Sequence, residues 1–194
     1  MGVVGRGSSE AGESVYFLAW DQAFRPLATE EAAIAEFTAL GLARGERLLQ
    51  EWNAPTVWRS REAEFAGLRD GAFPLLLPGL AVFRSDVARD LAEHVPNAQR
   101  LPLVSEDGED LEILHVSSFV DCLDVHRSTI RRFSSGRVRH IDRAVLDGAR
   151  VGGPDAIWRI PEAPYLLLVH GEHPTVKTLL GLPGLSLECF GEIV

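Results

Sequence analysis

The chain predicts an α+β fold: a mainly antiparallel sheet with a few short helices packed on it. Three observations predict it. Short strand-like apolar runs recur along the whole length, bounded by Gly, Pro and Asp. Two of the turns between them, at Asp107-Gly108 and Ser134-Ser135-Gly136, read as hairpin connections. The helical patterns are short, few and not regularly interleaved with the strands, which argues against a doubly wound α/β fold. A hydrophobic content of 46% with 24% charged residues suits a folded domain, so general disorder is excluded. The 194 residues fit one domain, 15–194, preceded by a loose Gly/Ser-rich stretch at 1–14; residues 15–72 carry the weaker pattern.

In order, Val15 to Trp20 reads as a first strand. Thr29 is the expected N-cap of a helix with Ala32, Ala33, Ile34, Phe37 and Leu40 as its apolar stripe and Gly41 as its stop. A less regular piece follows, with Leu42, Leu48, Leu49 and Trp52 apolar, then a strand at Thr56–Arg59 and a short helix within Glu62–Leu68. This first third reads as a cover for a later sheet. The stretch from Leu77 to Ser128 is the expected organising unit. It opens with a turn at Leu77-Pro78-Gly79-Leu80, continues as a strand through Ala81-Val82-Phe83, and enters a helix capped by Ser85. Val87, Ala88, Leu91, Ala92 and Val95 lie on one helical face, and Pro96 ends the helix at Val95.

Leu101–Val104 and Leu111–Val116 are the arms of the first hairpin around an acidic tip, Glu106, Asp107, Glu109 and Asp110. Thr129–Phe133 and Arg137–Ile141 form the second hairpin, expected in the same sheet. Ala144 to Asp155 reads as a loop, Ala156–Ile160 and Pro164–Val169 as strands. A short helix begins at His173-Pro174 with Val176, Leu179 and Leu180 inward, and Leu185–Ile193 is the last strand.

Composition limits function. No apolar run is long enough for a membrane-spanning helix, and the N-terminus lacks the apolar core of a secretory signal, so a cytoplasmic protein with reduced cysteines is expected. Net charge is −9, which opposes nucleic acid at long range and suits a basic protein partner. No Gly-rich phosphate loop or nucleophile elbow is present, and His170-Gly171-Glu172-His173 has the wrong spacing for a helical zinc site, so neither cofactor nor metal is expected. Acids on both sides of Cys122 disfavour its thiolate, although an enzyme using Cys122 stays open. Arg127, Arg131, Arg132, Arg137, Arg139 and Arg143 read either as a nucleic-acid ribbon or as a hairpin face that is paired with surplus acids or simply solvated; the net charge favours the second.

Several short stretches are familiar together: Phe73-Pro74 with Leu75–Leu77, Val82-Phe83-Arg84-Ser85, Leu101-Pro102-Leu103, and Val120-Asp121-Cys122-Leu123-Asp124 with Ser128. Ile157-Trp158-Arg159, Tyr165–Val169 and Leu179-Leu180-Gly181-Leu182 continue the pattern. From Phe73 to Gly191 the chain resembles a bacterial immunity-protein family, first catalogued as a domain of unknown function, typified by a myxobacterial member and encoded beside polymorphic-toxin genes. It departs at His170-Gly171-Glu172, where a Ser-Asp-type helix start is expected. The resemblance implies a stoichiometric inhibitor without catalytic residues, whose partner is a cognate toxin. The acidic surplus suggests a nuclease toxin. The expected toxin-binding residues are Glu106, Asp107, Glu109 and Asp110, with Asp121 and Asp124 on the same side.

Overall fold

Period-two alternation along one strand explains the architecture best. In the strand Leu111–Val116 every residue is buried: Leu111 and Ile113 face one core, Leu114 and Val116 another. A strand buried on both faces must lie inside a stack of layers. The computed structural model describes residues 13–95, 97–151 and 156–194; the stretch expected to be loose thus lies largely outside the described residues, as do Pro96 and Gly152–Asp155.

The described elements are β1 (Ser14–Trp20), β2 (Leu27–Thr29), α1 (Glu31–Ala39), β3 (Thr56–Arg59), β4 (Ala81–Arg84), α2 (Ser85–Ala92), β5 (Ala98–Ser105) and β6 (Leu111–Val116). They continue as β7 (Thr129–Arg132), β8 (Val138–Leu146), α3 (Gly148–Val151), β9 (Ile157–Ile160), β10 (Ala163–His170), α4 (Thr175–Leu180) and β11 (Leu185–Ile193). Two mixed sheets result: β7-β8-β11-β1-β10-β9 and β2-β3-β5-β6-β4. The β11–β8 and β3–β5 pairs are parallel and the others antiparallel, so the α+β reading holds.

The middle core lies between the sheets. Phe83 of β4, Val87, Ala88 and Leu91 of α2, and Leu114 of β6 meet Ile157 of β9, Val169 of β10 and Leu179 of α4. A second core, with Phe37 and Val57, lies on the far side of the smaller sheet under α1. A third, with Val15, Leu146 and Trp158, lies on the far side of the larger sheet. Ser118–Asp124 then ties the larger sheet together: Val120 N–H donates to Arg159 O of β9 at 2.8 Å, and Asp124 N–H to Val145 O of β8 at 2.9 Å.

Several expectations are corrected. The two hairpins belong to different sheets, β5–β6 in the smaller and β7–β8 in the larger. The first third is no cover, because β1 is an interior strand paired on both sides and β2 and β3 build the smaller sheet. Thr29 ends β2, where its hydroxyl donates to Thr56 O at 2.7 Å, and Glu30 takes the N-cap position of α1. Ser85 is the first residue of α2, after Arg84; its hydroxyl donates to Asp110 instead of capping, and the helix stops at Ala92. Glu62–Leu68 contains only a 3-10 turn, Ala63–Phe65. Ala144–Leu146 extend β8 and Gly148–Val151 form α3, because paired β11 residues and an Asp147 cap order what reads as loop. Leu49 and Leu180 are exposed: in the irregular piece after α1 Leu48 takes the buried place, and in α4 Val176 and Leu179 do. The Leu-Pro-Gly-Leu turns at 77 and 182 both need glycine, with φ of 86° at Gly79 and 92° at Gly184.

No helix among the described residues is long and apolar enough to cross a membrane. Leu91, 1% exposed at the centre of the middle core, supplies a direct check on this packing. Leu91→Ala is expected to lower unfolding free energy by about 2–5 kcal/mol, read as a drop in urea midpoint; an unchanged midpoint would mean that α2 does not pack on this face.

Candidate functional site

The stretch Val120–Ser128 builds one wall of a cleft. Asp124 Oδ1 accepts from the backbone N–H groups of His126 and Arg127 at 3.0 and 3.1 Å, turning the chain back. Ser128 Oγ accepts from Val145 N–H at 2.9 Å, pinning the return to β8. Asp147 N–H donates to Cys122 O at 2.8 Å and Asp147 Oδ1 accepts from Ala149 N–H, which starts α3. Arg150 of α3 then reaches back, donating to Asp121 O at 2.9 Å, with its Nε 3.2 Å from Asp147.

The cleft encloses about 560 Å³ and is edged by Asp121, Asp124, Asp147 and Glu162 against Arg127 and Arg150. Carboxylates outnumber cations, and the Asp121 side chain is 75% exposed. Glu162 Oε2 is buried without a hydrogen-bond partner among the described residues. Cys122 lies at the base with 1% exposure; burial above all, then the nearby Glu162 and Asp121 charges, pushes its thiol up to about 11. It is a protonated packing residue at neutral pH, unsuited to act as a thiolate nucleophile. Cys189 is exposed, and both cysteines are free.

The acidic tip is arranged differently from the expectation of four outward carboxylates. Glu109 grips the guanidinium of Arg59, which is 2% exposed, with Nε donating to Oε1 at 2.6 Å. Asp107 Oδ2 accepts from Arg59 backbone N–H at 2.6 Å. Asp110 Oδ1 accepts from Ser85 Oγ at 2.7 Å, and Glu106 pairs with Arg61 at 3.0 Å. Each of the four therefore has an internal partner; Glu106, Asp107 and Asp110 are exposed, and Glu109 is half-buried. Asp121 and Asp124 belong to the cleft beside the larger sheet and share none of these partners. The six expected residues form two groups, not one.

The histidines do not assemble a ligand set. His170 Nε2 lies 3.0 Å from Glu13 Oε2, and His173 Nδ1 accepts from Thr175 N–H at 3.2 Å. Among the described residues no group of three or more His, Cys, Asp or Glu is placed to hold a metal ion.

Asp147, Arg150 and Glu162 escaped the sequence reading. Asp147-Gly148 carries an Asx-cap signal after an apolar run, but Glu162 has none; it reaches the cleft only through the β9–β10 turn. The buried Arg59 and Arg159 were also missed. Each sits in a Trp-Arg pair inside a strand-like run, where a charged residue at an inward position marks a buried partner. No protein-family model matches the chain, and no curated protein matches it.

Two outcomes follow from these environments. Glu109→Gln is expected to destabilise the fold by about 2–3 kcal/mol, less than the ~3–5 kcal/mol for a fully broken buried pair, because Asp70 stays 3.7 Å from Arg59 Nε. Equal urea midpoints for Glu109→Gln and the parent would show the pair to be solvated. His115, with 0% exposure, donates from Nε2 to Glu46 O at 2.8 Å. Burial, aided by the Arg159 charge, lowers its pKa from 6.5. A depressed folded pKa contributes stability that is present above 6.5 and is lost as pH falls toward the folded value. Unfolding midpoints should therefore fall between pH 7.5 and 5.5, and fall less steeply in His115→Gln; parallel profiles would contradict the assignment.

Proposed function

We propose that this chain is an immunity protein: a stoichiometric inhibitor that binds and neutralises a co-encoded bacterial toxin, a nuclease, in the cytoplasm of the producer and its kin. The observation that carries the reading is the carboxylate-edged cleft on a chain of net charge −9. A nuclease presents a cationic surface shaped for phosphate. Carboxylates at Asp121, Asp147 and Glu162 can substitute for that phosphate and occupy the surface without taking part in the chemistry. Ion pairs desolvated in such a cleft contribute several kcal/mol, whereas exposed rim pairs contribute well under one. The long-range field also speeds encounter with a basic partner. The resemblance from Phe73 to Gly191 supports the same reading, since it spans the strands and helices of the middle core as well as Val120–Ser128.

In this proposal Asp121 and Asp124 stay in the toxin-facing set, joined by Asp147 and Glu162. Glu106, Asp107 and Asp110 are rim charges, and Glu109 holds the fold through Arg59.

Co-expression with the toxin-bearing reading frame next to its gene should restore growth that the toxin alone abolishes. Equal killing with and without the protein would end the immunity reading. The double change Asp121→Asn, Glu162→Gln is expected to weaken toxin binding at least tenfold at 50 mM salt and less at 300 mM, measured by titration calorimetry. Unchanged affinity at both salts would move the interface away from the cleft.

A further inference from the structure

The second hairpin is the one strongly cationic feature among the described residues. Residues 127–143 hold six arginines against one carboxylate, Asp142, within a chain of net charge −9. The rest of the chain then carries −14. The segregation is structural as well as sequential. β11 pairs with β8 at Ala144, Val145 and Leu146, and N-terminal to these β8 leaves the sheet with only β7 beside it. Ile130 and Ile141, paired across the ribbon, pack on the third core and anchor its base. Beyond them, Arg131 to Arg137 are exposed throughout.

Surplus acids neutralise only the base of this ribbon. Arg131 pairs with Asp142 and Arg143 with Glu192, both at the base. Arg132 donates only to Gly136 O at 3.0 Å. Arg139 lies over the Phe133 ring, 5.8 Å from its centroid, and Arg137 has no side-chain partner among the described residues. The tip thus displays three guanidinium groups without carboxylates around an aromatic ring that is 53% exposed.

We propose that the β7–β8 ribbon binds single-stranded nucleic acid, with Arg132, Arg137 and Arg139 on phosphates and Phe133 stacking an unpaired base. Stacking on aromatics combined with arginine contacts is the chemistry of sequence-tolerant single-strand binding. A duplex would offer Phe133 no unpaired base. The −14 of the body does not forbid this. Six residues of β8 outside the sheet span roughly 20 Å, against a screening length of about 8 Å at physiological ionic strength. A phosphate at the tip therefore experiences mainly the local arginines. The proposal is independent of the toxin reading, which uses the cleft.

The test is fluorescence anisotropy of the full chain with labelled oligo-uridine and oligo-thymidine 12-mers and a DNA duplex, from 50 to 200 mM KCl. Three phosphate contacts predict a slope of log affinity against log salt of about −2, a loss of roughly fifteenfold across that range. The triple change Arg132→Gln, Arg137→Gln, Arg139→Gln should remove the slope and at least tenfold of the affinity at 50 mM. Phe133→Ala should lower single-strand affinity about tenfold with the slope kept, and leave duplex affinity alone. Arg137→Gln by itself breaks no side-chain contact, so it serves if the triple variant unfolds; it should reduce the slope by about 0.7. The proposal is overturned by no binding at 100 µM protein in 50 mM KCl, by a slope indifferent to the ribbon, or by duplex affinity equally sensitive to Phe133. It is also overturned if the ribbon changes abolish only a salt-sensitive dimer in sedimentation, which would assign the ribbon to the acidic body of a second copy.

Discussion

Arg159 is the constraint on which the rest of the structure depends. It is 1% exposed and pairs with no carboxylate among the described residues. Its Nε donates to Val116 O at 2.8 Å, and its terminal nitrogens donate to Gly79 O at 2.9 Å, Ala43 O at 3.1 Å and Pro164 O. These carbonyls come from the end of β6, the turn before β4, the piece after α1 and the start of β10. Burying an ion costs several kcal/mol even after relaxation. Here charge-assisted bonds to main-chain oxygens offset that cost, and they exist only when all four segments are assembled. Burial pulls the pKa down to about 10, so the group is still cationic at neutral pH. The surrounding backbone must approach closely: a Cβ on Gly45 would sit 2.6 Å from Arg159 Cδ, and one on Gly79 would sit 2.5 Å from Ala43 O. The neutral His115 nearby avoids adding a second charge to this interior.

Arg59 solves the same problem in the other way. It too follows a tryptophan in a strand, but its charge meets the paired oxygens of Glu109, with Gly71 O at 2.9 Å. The acidic turn is consequently part of the fold. Its carboxylates look like a projecting recognition element in one dimension and act as a clamp between β3 and the β5–β6 hairpin in three. Where a charge is spent internally, its exposure to a partner is correspondingly reduced.

The charges left over are sorted by position. The cleft beside Val120–Ser128 keeps exposed carboxylates such as Asp121 because Arg150 alone spans two of them. The β7–β8 ribbon keeps Arg132, Arg137 and Arg139 without carboxylates because its tip lies outside the sheet, past the base where Arg143 meets Glu192. An acidic protein can therefore carry two surfaces of opposite sign. Net charge describes neither, since screening confines each to its own neighbourhood.

Local chemistry was legible in the sequence. Strands Thr56–Arg59 and Leu185–Ile193, the start of α2 at Ser85, the Asp107-Gly108 hairpin and the turn at Gly79 follow from apolar periodicity and turn preferences, which act over a few residues. Asp121 and Asp124 read together as neighbours in one short run, and both line the same cleft. Tertiary structure alone decided which sheet each hairpin joined, which carboxylates turned inward, and that Glu162 would share a cleft with Asp121. Glu109 is spent on Arg59 across 50 residues, and Arg159 reaches Ala43 across 116. No local pattern encodes such pairings, because the worth of a buried charge is set by the partners that folding brings to it.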